Sequence, residues 1–318
     1  MKKEVLQFLI DSLQNNKSSI LITVVSSSGH APGREGFTMA VTKDSLFGTI
    51  GGGTIEKNMV NKARNFIEKN SNTPKLFYRE HRISAGKNSS GMICGGTQTI
   101  AVHPIRLPDL EKLKKCIRAI NGDTLPQKIC LSPFCVEVFD AKDTVPFLFT
   151  TFCNDDWFYE ELIGNKDTAY IFGGGHVCLA LSPILASLGF RIVVLDERAY
   201  INTLQENKFC DQLFISPFND LPKMIKEGPY SYAFIMTPSH IYDENVLKGL
   251  LGKDLKYIGM MASKTKVTEI FTRLEKEGYS KEKLNAIHSP IGLPIKSRTP
   301  EEIAISIAAE VIQVKNSL

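Results

Sequence analysis

The stretch that most limits what this chain can fold into runs from Asp167 to Arg198. It opens with a short apolar run, Ala169-Tyr-Ile-Phe172. It passes through Gly173-Gly174-Gly175 and a helix-compatible segment, and closes on Arg191-Ile-Val-Val-Leu-Asp196-Glu-Arg198. Strand, glycine turn, helix, strand and acidic tip, in that order, are the layout of a dinucleotide-binding βαβ unit. Glycine lets the backbone turn sharply and approach a pyrophosphate, and the next helix offers free N–H groups to an anion. Asp196 stands at the strand end, where an acid can accept from a ribose. The third position of the glycine pattern falls on Cys178 rather than on glycine. The unit lies mid-chain, so the residues before it need their own account.

The chain has 318 residues, with 43% hydrophobic and 23% charged. That length is natural for two domains, each with a core of its own. A formal net charge of +4 is too small to argue for nucleic acid or an anionic membrane. No apolar run reaches bilayer length. Glu4, Gln7 and Asp11 interrupt any signal-peptide core, and Val5, Phe8, Leu9 and Leu13 instead fall on one helical face. The seven cysteines form no Cys-x-x-Cys pair, which points to free thiols in a cytoplasmic setting. Cys130 and Cys135 have no second pair nearby to complete a zinc site.

From Gly164 onward strands alternate with helices. Strands are expected at 169–172, 191–195, 212–215, 231–236 and 256–260, with helices between them and a last helix over 301–315. This pattern predicts a parallel sheet covered on both faces, a Rossmann-like doubly wound domain over 164–318. Residues 1–163 mix elements and predict an α+β domain. Its strands are expected at 20–25, 38–41, 45–49, 75–80 and 97–103, with several more between 127 and 162. A loop is expected from Ser26 to Gly36, and helices over 54–69 and 108–120.

Several clusters carry candidate chemistry. Gly51-Gly52-Gly53 precedes a helix whose first turn holds Glu56, which fits either an anion seat or dipole complementation by Glu56 itself. Cys94 lies in Gly91-Met-Ile-Cys94-Gly-Gly96, a setting that favours an accessible thiolate able to act as nucleophile, sulfur carrier or soft-metal ligand. The alternative is a small apolar residue in a turn. Thr237-Pro-Ser-His240 and Ala262-Ser263-Lys-Thr-Lys266 follow the fourth and fifth strands of the second half. Ligands of open α/β sheets bind at such carboxyl ends. His240 suits an acid, base or donor, whereas Ser239 and Ser263 also suit plain helix capping.

With these residues in view, the chain resembles the xanthine dehydrogenase accessory factor family, XdhC/CoxI. The likeness is carried by Ala31-Pro-Gly-Arg34-Glu-Gly36, by Gly48-Thr-Ile-Gly-Gly-Gly53 with Glu56, and by Gly91–Gly96. It continues in Gly173-Gly-Gly-His176-Val and Leu188–Arg198. It ends in His288-Ser-Pro-Ile-Gly-Leu293 and Thr299–Glu310. The resemblance implies a non-enzymatic accessory protein that binds the molybdenum cofactor, a molybdopterin, while its metal gains a sulfido ligand. A cysteine desulfurase would supply the sulfur. Delivery would be to a xanthine dehydrogenase-type molybdenum hydroxylase. It makes Cys94 the candidate for contact with metal or sulfur. Arg34, Gly51, Gly52, Gly53, Glu56, Gly173, Gly174, Gly175, His176, Asp196 and Ser263 become the cofactor-binding candidates. A homodimer is expected by base rate. The same second half also suits an NAD(P)-dependent oxidoreductase with His240 as proton donor, or a nucleotide sensor that works through partners.

Overall fold

Residues 1–80, 95–152 and 156–317 are described by a computed structural model. They fall into two units, Met1–Asn165 and Lys166–Leu318.

The first unit opens with α1 (Lys3–Gln14), whose buried face is Val5, Leu6, Leu9, Ile10 and Leu13. Then follow β1 (Ser19–Gly29), β2 (Thr38–Val41), β3 (Leu46–Gly48), α2 (Gly53–Glu68), β4 (Lys75–Glu80), β5 (Gly96–Ile105) and α3 (Leu110–Asn121). β6 (Gln127–Leu131), β7 (Val136–Asp140), β8 (Phe147–Thr151) and β9 (Trp157–Ile163) complete it. The strands form two antiparallel sheets, ordered β3-β2-β1-β5-β4 and β7-β6-β9-β8. Side chains alternate across the first sheet as the two-residue strand period requires. Leu21, Ala40 and Ala101 join α1 and α3 in one core, and Ile20, Ile22, Met39, Ile100 and Val102 join α2 in another. α1 and α3 also pack on Ile129 and Tyr159 of the second sheet, so one apolar layer serves both sheets.

One sequence expectation is corrected here. Ser26–Gly29 is strand, not loop, because β1 keeps pairing with β5 beyond a bulge at Val24/Ser26, down to Gly29 opposite Gly96. A serine run looks like a loop by composition, but a partner strand that satisfies its N–H and C=O groups overrides that preference.

The second unit runs β10 (Thr168–Phe172), α4 (His176–Ser187), β11 (Arg191–Asp196), α5 (Asn202–Glu206), β12 (Gln212–Ile215), β13 (Gly228–Ile235), α6 (His240–Leu250), β14 (Leu255–Met260), α7 (Lys264–Lys276), α8 (Lys281–Asn285) and α9 (Pro300–Asn316). Its sheet is parallel, in the order β12-β11-β10-β13-β14. Burial on both faces explains its nearly unbroken apolar strands. Tyr170, Phe172, Val193, Leu195, Ala233 and Ile235 face α6 and α7, whereas Ala169, Ile171, Ile192, Val194, Tyr232 and Phe234 face α4 and α9. Each such buried Leu, Ile or Phe contributes roughly 1.5–3 kcal/mol. The molecule is thus α/β, with an N-terminal α+β unit and a Rossmann-like sheet after it.

Two of the connections between strands are not full helices. α5 has five residues, and a 3-10 turn, Leu221–Met224, replaces a helix between β12 and β13. Pro217, Pro222 and Pro229 crowd that stretch and prevent helix propagation. Among the described residues no helix is long and apolar enough to cross a membrane.

Candidate functional site

The connection from β10 climbs one face of the sheet through α4, and that from β13 climbs the other through α6. β10 and β13 are hydrogen-bonded neighbours. The gap between their carboxyl ends is therefore the switch point of the sheet, the place where open α/β sheets take ligands. Two loops meet there, Gly173–Gly175 and Thr237–His240.

Each small residue of the first loop has a separate task. Gly173 has φ +108°, and a Cβ on it would stand 2.3 Å from the Met236 carbonyl oxygen. Only glycine fits so tight a turn against β13. A Cβ on Gly175 would meet nothing within 4 Å, so this position faces open space. No side chain among the described residues caps α4, whereas Ser239, Ser263 and Thr299 cap α6, α7 and α9. The first N–H groups of α4 thus point to the open side of Gly175. Cys178 is buried beneath the helix, and that burial pushes its thiol up to about 12. His176 is exposed, close enough to Glu301 for their charges to interact.

Asp196 ends β11 as the fingerprint requires, yet its carboxylate is not free. Oδ2 accepts from the Gly174 N–H at 2.7 Å and from Arg198 Nη2 at 2.7 Å. Oδ1 accepts from Arg198 N and Nε, both at 2.9 Å. Burial opposes its ionisation, but these bonds outweigh burial and hold the carboxyl below its ordinary value. Arg198 and its neighbours are what sequence reasoning missed. Thr203 donates to the Gly174 carbonyl at 2.5 Å, and the Leu204 side chain lies where a Gly174 Cβ would be.

The second loop is held by Asp243. Its Oδ1 accepts from the Thr237 N–H at 3.0 Å and from the Thr237 hydroxyl at 2.6 Å. Desolvation raises the Asp243 carboxyl above its ordinary value. His240 is the exposed first residue of α6 and lines a cavity of about 440 Å³ with Ile241, Glu244, Lys266 and Arg273. Ser263 is exposed at the start of α7 and accepts from the Lys266 N–H at 3.4 Å, an ordinary cap.

In the first unit the glycine clusters interlock. Gly51, Gly52 and Gly53 all have positive φ, at +116°, +76° and +68°. A Cβ on Gly51 would stand 2.6 Å from Gly33 N, and one on Gly33 would stand 2.1 Å from the Ile50 carbonyl oxygen. Buried Gln98 donates to the Gly33 carbonyl at 2.8 Å and ties both loops to β5. Just before α2 the chain supplies an acceptor of its own. Glu56 Oε2 accepts from the Thr49 hydroxyl at 2.6 Å and from the N–H groups of Ile50 and Gly52, both at 3.0 Å. Glu56 thus occupies the amides of Ile50 and Gly52, while a Cβ on Gly52 would meet nothing within 4 Å. Arg34 is exposed and donates to the Gly29 carbonyl at 3.0 Å. Gly95 follows Cys94 and lies beside Gly29. Cys94 itself, with the rest of 81–94, and Cys153 lie outside the described residues.

A further polar cluster joins two segments that the sequence kept apart. Glu310 of α9 accepts from the Tyr257 hydroxyl at 2.6 Å and from the Gly292 N–H at 3.0 Å. His288 Nδ1 lies 3.3 Å from its other oxygen, and the His288 ring packs on Tyr257 at 4.7 Å. Residue 288 bridges Gly259, extending the sheet past β14. Both segments, His288–Leu293 and Thr299–Glu310, carry the family resemblance, which was the available signal. No group of three or more His, Cys, Asp or Glu residues able to hold a metal occurs among the described residues.

Comparison with known proteins extends over nearly the whole chain. The crystal structure of a xanthine dehydrogenase from Bacillus halodurans superposes with a TM-score of 0.72 at 22% identity, covering 99% of this chain and 96% of that one. This likeness shows a shared fold. A probable xanthine dehydrogenase subunit of Bacillus subtilis (strain 168) is 24% identical, over 95% of both chains. The uncharacterized protein YqeB of Escherichia coli (strain K12) is 25% identical over 96% of this chain, which spans only 45% of that protein's length. The model of the XdhC Rossmann domain matches residues 169–311, and that of the XdhC and CoxI family matches residues 12–78. Both halves of the molecule therefore match the same lineage, and the chain belongs to the XdhC and CoxI family.

Proposed function

We propose that this protein is an accessory factor of a xanthine dehydrogenase-type molybdenum hydroxylase. In this reading it holds molybdopterin as cargo during sulfuration, with sulfur from a cysteine desulfurase, and delivers it to the hydroxylase. The family assignment and the name of the Bacillus subtilis relative support the coarser role. The observation that carries the binding step is the open approach at Gly175, under the uncapped N-terminus of α4. A phosphate fits there, because N–H groups and the positive end of the helix dipole favour an anion without a side chain in the way. Gly173 and Cys178 would fix the turn, and exposed His176 would stand beside the phosphate.

Metal or sulfur contact is proposed for Cys94, whose thiolate is a soft ligand. Arg34, exposed in the first unit, is proposed as a further cofactor-binding residue. Gly51, Gly52, Gly53 and Glu56 would support that loop rather than bind, since Glu56 already takes the amides of Ile50 and Gly52. His240 and Ser263 stand at neighbouring strand ends and would border the cargo. The protein itself would act as a carrier, and a homodimer is the proposed assembly.

The test is mass spectrometry of ligand released from native protein, followed by capture of molybdopterin by wild type and Cys94→Ala. Copurified or captured molybdopterin is expected. A Cys94→Ala protein that captures and sulfurates it as well as wild type would remove Cys94 from the scheme. NADH- or NADPH-dependent turnover of small carbonyl compounds would instead favour the oxidoreductase.

A further inference from the structure

In a dinucleotide-binding unit, the glycine turn seats the pyrophosphate and the acid at the second strand accepts from the ribose hydroxyls. Here these two halves of the fingerprint have parted. The phosphate end is open at Gly175. The ribose end is shut. A carboxylate offers about four acceptor positions. Those of Asp196 face four N–H donors: Gly174 N, Arg198 N, Nε and Nη2. Asp196 is wholly buried, so no solvent-facing lone pair remains. Leu204 and Thr203 close the same side, packing on Gly174 and bonding its carbonyl.

We propose that Arg198 is a specificity-determining residue that withdraws the ribose-reading acid, so that the domain rejects NAD(H) and takes a phosphate monoester with no ribose diol to present at Asp196. This rests on the reading that the glycine turn seats the phosphate of the cargo. A ribose diol arriving at β11 would have to displace a two-point guanidinium contact from a buried carboxylate. That exchange gives up a guanidinium–carboxylate ion pair for donors that carry no charge, and it leaves the displaced guanidinium without its partner. A ligand held by phosphate alone meets no such barrier. The charge of Asp196 is then spent within the loop, where it anchors Gly174 and so keeps the turn in shape.

The test is a fluorescence titration of the full chain with NADH. Wild type is expected to show no saturable binding up to about 1 mM. Arg198→Ala removes one contact from each oxygen, leaving the residue-198 N–H on Oδ1 and the Gly174 N–H on Oδ2, and at least about tenfold tighter NADH binding is expected. Asp196→Asn in the Arg198→Ala background is expected to lose that gain. Arg198→Lys keeps a positive charge beside the buried carboxylate but cannot span both oxygens. It supplies a folded intermediate if Arg198→Ala is unstable, and weak NADH binding is expected from it. Saturable NADH binding by wild type as tight as that of the variants would overturn the proposal. So would folded variants that gain nothing. Molybdopterin capture by wild type is measured separately. A gain of NADH binding in the variants without molybdopterin capture by wild type would leave the role of Arg198 standing and remove the carrier reading.

Discussion

The hydroxyl of Tyr257 donates to Glu310 Oε2 at 2.6 Å, joining the last strand of the parallel sheet to the last helix of the chain. The same carboxylate holds the Gly292 N–H and faces His288. One acid thus gathers three separate stretches around the edge of the sheet.

The first expectation concerns its pH dependence. Burial opposes ionisation of Glu310, but the hydrogen bonds from His288, Tyr257 and Gly292 prevail and hold its carboxyl below the ordinary value. Because the folded value is depressed, the contribution is complete above the unfolded glutamate range and is lost as pH falls through the folded value. Glu310→Gln should therefore lower stability at neutral pH, and the gap from wild type should shrink under acid. Urea titrations at a series of pH values measure it, and a gap that widens on acidification would contradict this account.

The second concerns the start of α2. Glu56→Ala removes the acceptor for the Thr49 hydroxyl and the N–H groups of Ile50 and Gly52. A cost of about 1–2 kcal/mol is expected, the range of a lost helix cap. Thermal melting checks it. Unchanged melting would mean that solvent replaces the carboxylate at no cost.

A pair of glycine variants separates fold from binding. Gly173→Ala forces a side chain at φ +108° into the Met236 carbonyl, and a loss of about 2 kcal/mol or more is expected. Gly175 has φ −77° and open space ahead of it. Gly175→Ala should melt within about 1 kcal/mol of wild type, yet capture less molybdopterin, because a methyl group would stand where the phosphate approaches. Equal capture by Gly175→Ala and wild type would move the ligand elsewhere.

Buried thiols should be slow to react. Burial pushes Cys116, Cys130 and Cys178 up to about 12, so little thiolate is present near neutral pH. Iodoacetamide followed by peptide mass spectrometry should label these three only after unfolding. Rapid labelling of any of them in the native protein would show that its surroundings open.

Legibility in the sequence followed the range of the interactions involved. β11 and β10 were readable because burial on both faces forces runs such as Ile192–Leu195 and Ala169–Phe172. Gly189, at φ +87° just past α4, announced the helix end locally. β1 was cut short because the stability of Ser26–Gly29 resides in β5, far along the chain. The closure of Asp196 was not readable. Arg198 stood in the same motif, but whether its guanidinium turns back or outward depends on how the loop packs against Gly174. That Glu56 gathers the amides of Ile50 and Gly52 was likewise hidden, because it depends on the path of the glycine turn rather than on spacing alone. The Tyr257–His288–Glu310 cluster depends on strand and helix meeting in space, so no local pattern encodes it.

The interlocked glycines of the first unit have a mechanical consequence. Gly33 abuts the Ile50 carbonyl, Gly51 abuts Gly33, and the Gln98 side chain clamps the seam. With no room for even a methyl group between them, the two loops behave as gear teeth in mesh: a displacement of the Arg34 segment drives the entry of α2, and anything that grips one loop is felt by the other.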